Sequence, residues 1–312
     1  MSSDPRIAVL LPCHNEAAAI AETVEGFRAA LPGASIYVYD NASTDETSHI
    51  AAKAGAIVRR EPLVGKGNVV RRMFADIEAD IYVMADGDAT YDAAAAPKLI
   101  TELENEHADM VVGVRRGDGD EPEQKYETYR VGHRTGNRML TGLVSLIFGQ
   151  RFSDILSGYR VMSRRFVKTF PSLAKGFEIE TELTVHALEI RAPVAEVDTR
   201  YVARPEGSTS KLNTFRDGFR ILKVIADLTR EERPMAFFGG LGVVNLVLAV
   251  GLGVPVILEY LSTGQVLRQP TWILGVAFGI AALHFFSIGL TLETVTRGRR
   301  EAKRLAYLAE TR

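Results

Sequence analysis

Two uncharged stretches constrain this chain most. No Asp, Glu, Lys or Arg occurs in the 25 residues from Pro234 to Leu258, or in the 24 from Gln269 to Leu292. About 20 apolar residues cross the hydrocarbon core of a bilayer. Each stretch is therefore long enough to span, and the short link bearing Glu259 and Arg268 predicts a hairpin. Gly239, Gly240, Gly242, Gly251 and Gly253 suit a membrane helix better than a soluble one. A buried hairpin in a soluble protein is the competing reading, but soluble helices this long usually carry a charged face.

The basic residues give the hairpin a direction. Arg230 and Arg233 precede it, Arg297, Arg299, Arg300, Lys303 and Arg304 follow it, and the link holds only Arg268. The positive-inside bias places both ends in the cytoplasm. Met1 to Arg6 leads straight into an apolar strand, with no secretory signal pattern. The expectation is a multi-pass protein of the cytoplasmic (inner) membrane. Its parts would be a cytosolic domain over 1–212, an amphipathic juxtamembrane helix over 213–233, a hairpin over 234–295 (helices about 235–259 and 270–293) and a basic cytosolic tail over 296–312. A net charge of -2 gives no global basic field, so no nucleic-acid partner is expected. One cysteine, Cys13, excludes an internal disulfide framework and a cysteine-clustered zinc site.

Upstream of the hairpin, short apolar runs alternate with helical patterns. Ile7–Leu11, Ile36–Tyr39, Ala56–Val58, Ile81–Met84 and Met110–Val114 read as buried strands. Ala17–Leu31, Asp45–Ala54, Gly67–Ile77 and Ala94–Glu106 read as helices between them. That alternation predicts an α/β domain with a mostly parallel, Rossmann-like sheet. Such sheets bind ligands beyond the carboxyl ends of their strands, so the residues after each strand carry the functional signal.

Asn15 follows the first strand and can cap the next helix; Ser43 with Glu46, after the second, fits a capping box. Asp40 stands at a strand end where no helix needs it. Lys66, in Gly65-Lys66-Gly67, lacks a full phosphate-loop pattern but is placed to meet a phosphate. Asp86-Gly87-Asp88 ends the fourth strand. The glycine lets both carboxylates approach one point, where they would repel unless a cation intervened. Hard oxygen ligands suit Mg²⁺ or Mn²⁺, with a substrate diphosphate completing the shell; an ordinary Asp-Gly turn is the alternative.

In this order, Leu11-Pro12-Cys13-His14-Asn15-Glu16, Asp40-Asn41-Ala42-Ser43-Thr44-Asp45, Asp86-Gly87-Asp88 and Asp154-Ile155-Leu156-Ser157-Gly158-Tyr159-Arg160 resemble the family 2 glycosyltransferases of GT-A fold. Within these the chain is similar to the polyprenyl-phosphate glycosyltransferases related to dolichol-phosphate mannose synthase. The resemblance covers roughly residues 6–230. It implies that Pro12, His14 and Glu16 contact the nucleotide and that Val38 and Asp40 hold its base. Ala42 stands where the family usually has glycine. Asp86 and Asp88, with Ala85 and Gly87 beside them, match the metal-diphosphate motif. Arg115 matches a phosphate-contacting arginine and Asp154 an aspartate that assists displacement; Ser157 and Arg160 share its motif and are expected to contact the acceptor phosphate. Arg204 and Lys211 resemble a basic pair on a loop closing over the donor. Arg130, Arg134 and Arg138 are candidates for the acceptor headgroup.

The implied reaction moves a sugar, with inversion, from a UDP- or GDP-linked donor to a polyprenyl phosphate, with Mg²⁺ or Mn²⁺ absorbing the leaving charge. Arg115, Arg160, Arg204 and Lys211 would position phosphates. Two stretches suit the bilayer interface: Arg138–Phe148, with Leu140, Leu143, Val144 and Ile147, and Phe215–Leu228, with Phe215, Phe219 and Leu222 opposed to Arg216, Arg220 and Lys223. Packing against the domain is the alternative for both. Two other functions stay open: transfer to a glycolipid or hydroxyl acceptor, for which Asp154 would be a general base, and non-catalytic binding of a nucleotide sugar. Gly239, Gly242 and Gly253 fit helix packing within one chain or between chains, so a homo-oligomer is also open.

Overall fold

The computed structural model describes residues 5–116, 142, 152–172, 174–176, 178–202, 226–227 and 229–310. The chain forms two compact units, one of 1–221 with 303–312 and one of 222–302.

Among the described residues the first unit is built on seven strands: β1 (Ile7–Cys13), β2 (Ser35–Asp40), β3 (Ile57–Arg60), β4 (Ile81–Met84), β5 (Met110–Arg116), β6 (Arg160–Ser163) and β7 (Val194–Arg200). Their order across the sheet is β3-β2-β1-β4-β6-β5-β7. All pair in parallel except β6, which runs antiparallel to both β4 and β5. Helices are α1 (Ile20–Ala30), α2 (Thr47–Lys53), α3 (Lys66–Asp76), α4 (Ala96–Asn105), α5 (Arg164–Thr169) and α6 (Ile179–Ile190). β1 and β4 are apolar on successive residues because both faces are covered: Val9, Leu10, Leu11, Tyr82, Val83 and Met84 are all fully buried. α1 packs Ile20, Val24 and Phe27 onto that core, at the spacing that keeps side chains on one helical face.

The five strands and four helices expected from periodicity are present. The antiparallel β6 and the edge strand β7 were not anticipated. β1 lies between β2 and β4, and the chain crosses back from β3 to β4, so the strand order reverses at β1 and opens a crevice at the strands' carboxyl ends.

The expected caps are not formed. The N-cap residues Ala19 and Glu46 make no side-chain cap, and at α2 it is Asp45 Oδ1 that accepts from the first helical N–H, of Thr47, at 3.1 Å. Asn15 and Ser43 instead tie two loops together: Asn15 N–H donates to Ser43 Oγ at 2.9 Å, and Thr44 N–H donates to Asn15 Oδ1 at 2.8 Å. Glu16 N–H reaches Thr47 Oγ1 at 2.9 Å and Ala17 N–H reaches Asp45 Oδ2 at 3.2 Å. Ala42 adopts φ 55° in this clamp, a left-handed conformation that burdens any residue with a Cβ. Ala42→Gly should therefore stabilise the domain by about 0.5–1 kcal/mol. A denaturant midpoint unchanged or lowered would contradict this.

His186 on α6 is 1% exposed, wedged between Phe166 and Phe170 with ring centroids 5.3 and 5.4 Å away, and neither ring nitrogen has a hydrogen-bond partner among the described residues. Burial, aided by the Lys303 charge, pushes its pKa down to about 3. The unfolded chain binds this proton below about pH 6.5 while the folded one does not. Stability from this group is therefore complete above that pH and lost as pH falls toward 3. His186→Phe should flatten the acid limb of the stability curve near pH 5 by about one proton, roughly 1.4 kcal/mol per pH unit. Denaturant melts across pH 4–7 check it.

In the second unit, α7 (Pro234–Thr263) and the first part of α8 (Gln269–Ala309) are long and apolar enough to cross a membrane, with mean hydropathy 2.5 and 2.1 in their most apolar windows. Only 17% of each window is buried, and Leu261 and Leu283 are 73% and 70% exposed. A core hairpin of a soluble protein would hide these side chains. The helices run antiparallel: Gly289 meets Met235, Gly242 lies under the Phe286 ring, and Gly275 approaches the Ala249 carbonyl. At the basic end, buried Glu232 accepts from Arg299 and Arg300. α8 does not stop after the apolar stretch. Its residues 303–309 fold with the first unit, where Lys303 donates to Glu189 at 2.6 Å and Tyr307 donates to Asp109.

Candidate active site

The crevice collects side chains from the ends of β1, β2, β4 and β5 and from the N-termini of α3 and α6. Asp86 and Asp88 follow β4. Asp88 is 3% exposed, and its Oδ1 accepts from Thr90 N–H at 3.2 Å and Thr90 Oγ1 at 2.5 Å, which fixes the carboxylate's rotation. Gly87 between them is required by packing, since a Cβ there would strike Cys13 Sγ. The Cys13 thiol is pushed up by burial and by the surrounding carboxylates, so it stays protonated and inert.

Asp86 is more open. Its Oδ1 accepts from the Lys66 ammonium, which also donates to Glu180. Lys66 begins α3, and Gly65 and Gly67 on either side are pressed against the backbone of Ala174 and Lys175. Burial opposes the Lys66 charge, but the adjacent Asp86 and Glu180 outweigh it and raise its pKa above the ordinary lysine range. Gly158 closes over the cluster: a Cβ would lie 3.0 Å from Asp86 Oδ2 and 3.2 Å from Lys66 Nζ.

Arg115, near the end of β5, forms a bidentate pair with Asp154, with Nε–Oδ2 2.6 Å and Nη2–Oδ1 2.8 Å. Its guanidinium also lies 5.6 Å from the Tyr201 ring centroid. Tyr91 accepts from Gly158 N–H at 2.8 Å and packs on Tyr159 and Tyr201.

Several expected roles are displaced. Arg160, on β6, is fully buried: Nη2 donates to the Ile155 carbonyl at 2.7 Å and Nε to the Ser157 carbonyl at 3.0 Å. Burial lowers its pKa to about 10. Ser157 is equally buried, donating to the Gly113 carbonyl at 2.6 Å. Both shape the Asp154–Arg160 loop from within, which corrects their expected contact with an acceptor phosphate. Val38 lies in the core, and Asp40 is 4% exposed, with Ser43 N–H on Oδ1 at 2.9 Å and Ser48 Oγ on Oδ2 at 2.6 Å. Asp40 therefore anchors the β2–α2 loop rather than presenting a free edge to a base. Pro12 and Ala85 are buried strand-end positions. His14 and Glu16 are half-buried at the crevice rim; His14 Nδ1 lies 2.7 Å from the Asn41 carbonyl oxygen. Arg130, Arg134, Arg138, Arg204 and Lys211 lie outside the described residues, as do the amphipathic stretches, save Gly142, Ala226 and Asp227.

Sequence reasoning missed Glu180, Tyr91 and Tyr201. Glu180 sits in Glu178-Ile179-Glu180-Thr181-Glu182, a pattern that suits the positive end of any helix dipole. Only its burial beside Lys66 distinguishes it. Tyr91 follows Asp88 by three residues, a proximity that was available to read.

The donor set can be tested against a divalent cation. Among the described residues, no three His, Cys, Asp or Glu side chains converge. Asp86 and Asp88 offer carboxylate oxygens alone, at one strand end. A Mg²⁺-like ion takes one or two carboxylates and completes its shell from substrate phosphates and water. The residues fit such an ion.

Fold and site define a glycosyltransferase of GT-A type. Residues 8–170 match the glycosyl transferase family 2 model. Glycosyltransferase AglJ of Haloferax volcanii is 34% identical over 288 residues, 91% of this chain and 93% of that one. The same organism's dolichyl-phosphate hexose transferase is 27% identical over 227 residues, 73% of this chain and 95% of its own. Among solved structures, glucosyl-3-phosphoglycerate synthase of Mycobacterium tuberculosis in complex with UDP is similar with TM-score 0.57 and 25% identity, over 72% of this chain and 79% of that one. The chain belongs to glycosyl transferase family 2.

Proposed function

We propose that this glycosyltransferase passes a sugar from a UDP- or GDP-linked donor to a polyprenyl phosphate at the cytoplasmic face of the inner membrane. The observation that carries the reading is one chain holding both the carboxylate crevice and two exposed apolar helices of spanning length. A polyprenyl tail stays in the bilayer, so its transferase must be held at the surface. The naming of one relative as a dolichyl-phosphate hexose transferase supports the acceptor, and a UDP complex in a solved relative supports the donor. The basic residues flanking the hairpin favour cytosolic ends for both helices. On this reading 1–212 is the catalytic domain, 213–233 an interface helix, 234–295 the membrane hairpin and 296–312 a basic tail.

The acceptor phosphate oxygen attacks the anomeric carbon from the face opposite the leaving nucleoside diphosphate. One C–O bond forms as the other breaks, inverting the centre. A phosphate acceptor is ionised near neutral pH, so no strong base is needed. Arg115, oriented by Asp154, holds a phosphate in line, and Lys66 stands beside the diphosphate. Asp86 and Asp88 would hold Mg²⁺ or Mn²⁺, which when bound would supply charge neutralisation for the leaving group. Arg134, Arg138, Arg204 and Lys211 are proposed to complete the phosphate contacts.

The purified protein in nanodiscs, given undecaprenyl phosphate, Mn²⁺ and a panel of labelled UDP- and GDP-sugars, should pass label into the lipid fraction. Transfer to hydroxyl glycolipids alone would replace the acceptor. Donor binding without turnover would replace the enzyme reading.

A further inference from the structure

Lys66 is shared. Its ammonium bonds Asp86, whose side chain is 32% exposed, and Glu180, whose side chain is 6% exposed and which lies deeper in the fold. Glu180 reaches it from the first turn of α6, more than a hundred residues along the chain from α3. Gly158 allows no side chain to intrude on this contact. An ammonium with one carboxylate partner would give Asp86 its whole charge and compete fully with any incoming cation. With two partners its charge is divided, and the cluster of one Lys and two acids keeps a net negative charge facing the crevice.

We propose that Glu180 is a positioning residue: by holding Lys66 from behind, it leaves the Asp86 carboxylate available to a divalent ion. The inference rests on the metal reading given under the proposed function. It also requires that Glu180 act only through Lys66.

The test measures Mn²⁺ affinity by electron paramagnetic resonance on the full-length protein in detergent with UDP present, independently of turnover. Glu180→Gln should weaken Mn²⁺ binding by about 10- to 100-fold, the usual cost of losing an outer partner of a metal ligand. Glu180→Asp should recover part of the loss. In a Lys66→Met background, Glu180→Gln should leave the affinity unchanged within about twofold, because no ammonium remains to restrain. That double change removes both buried ions together, which is better tolerated than removing one. It carries the test even where Glu180→Gln alone fails to fold. Equal Mn²⁺ binding by Glu180→Gln and wild type, or the same loss in the Lys66→Met background, overturns the inference alone. A wild-type protein that takes up no Mn²⁺ with UDP overturns the metal reading and this inference with it.

Discussion

Asp86→Asn should lower kcat/KM for sugar transfer by about 10³-fold or more, equivalent to roughly 4 kcal/mol of lost transition-state stabilisation. The change keeps the shape and removes the charge. Two effects then add. The carboxylate no longer offers a hard anionic oxygen where the diphosphate departs, and Lys66 is left with Glu180 as its one charged partner of the two it holds here. Initial rates across donor concentration, with circular dichroism to check the fold, decide the matter. A loss under about tenfold would remove Asp86 from the transition state.

Asp154→Asn separates the acceptor readings. The Arg115–Asp154 pair is nearly enclosed, with side chains 15% and 6% exposed, and bidentate at 2.6 and 2.8 Å. An amide places an N–H₂ donor against a guanidinium that can only donate. Breaking a buried pair from one side costs about 3–5 kcal/mol. For a domain of this size that lowers Tm by about 6–20 °C. If Asp154 only orients Arg115, activity should fall together with stability, and phosphate acceptors should remain preferred. A variant of unchanged Tm that has lost transfer to hydroxyl acceptors would mark Asp154 as a proton acceptor and favour the other acceptor class.

Much of the fold was legible because its strands are buried on both faces and read as plain apolar runs. Ile81–Met84 is such a run, and it is β4 residue for residue. β6 was hidden for the opposite reason. It opens with a fully buried arginine, whose charge is answered by carbonyls of its own preceding loop, a solution that no periodicity encodes. The helix starts were misjudged because Asn15 and Ser43 satisfy one another's loops instead of their own helices. Asp86 and Asp88 stood out by their place after a strand, whereas Arg115 and Asp154 were marked only by the family resemblance. Glu180 was marked by neither, since its meaning comes from a partner more than a hundred residues away.

The tyrosine that answers Asp109 stands 198 positions later, beyond both apolar stretches and near the end of α8. Asp109 is wholly buried and is shared with Ser163 and Arg165 until that hydroxyl arrives. A ribosome making this chain must therefore deliver the hairpin before Asp109 receives that donor. Chains halted between those events would hold Asp109 by Ser163 and Arg165 alone, one donor short of the finished fold.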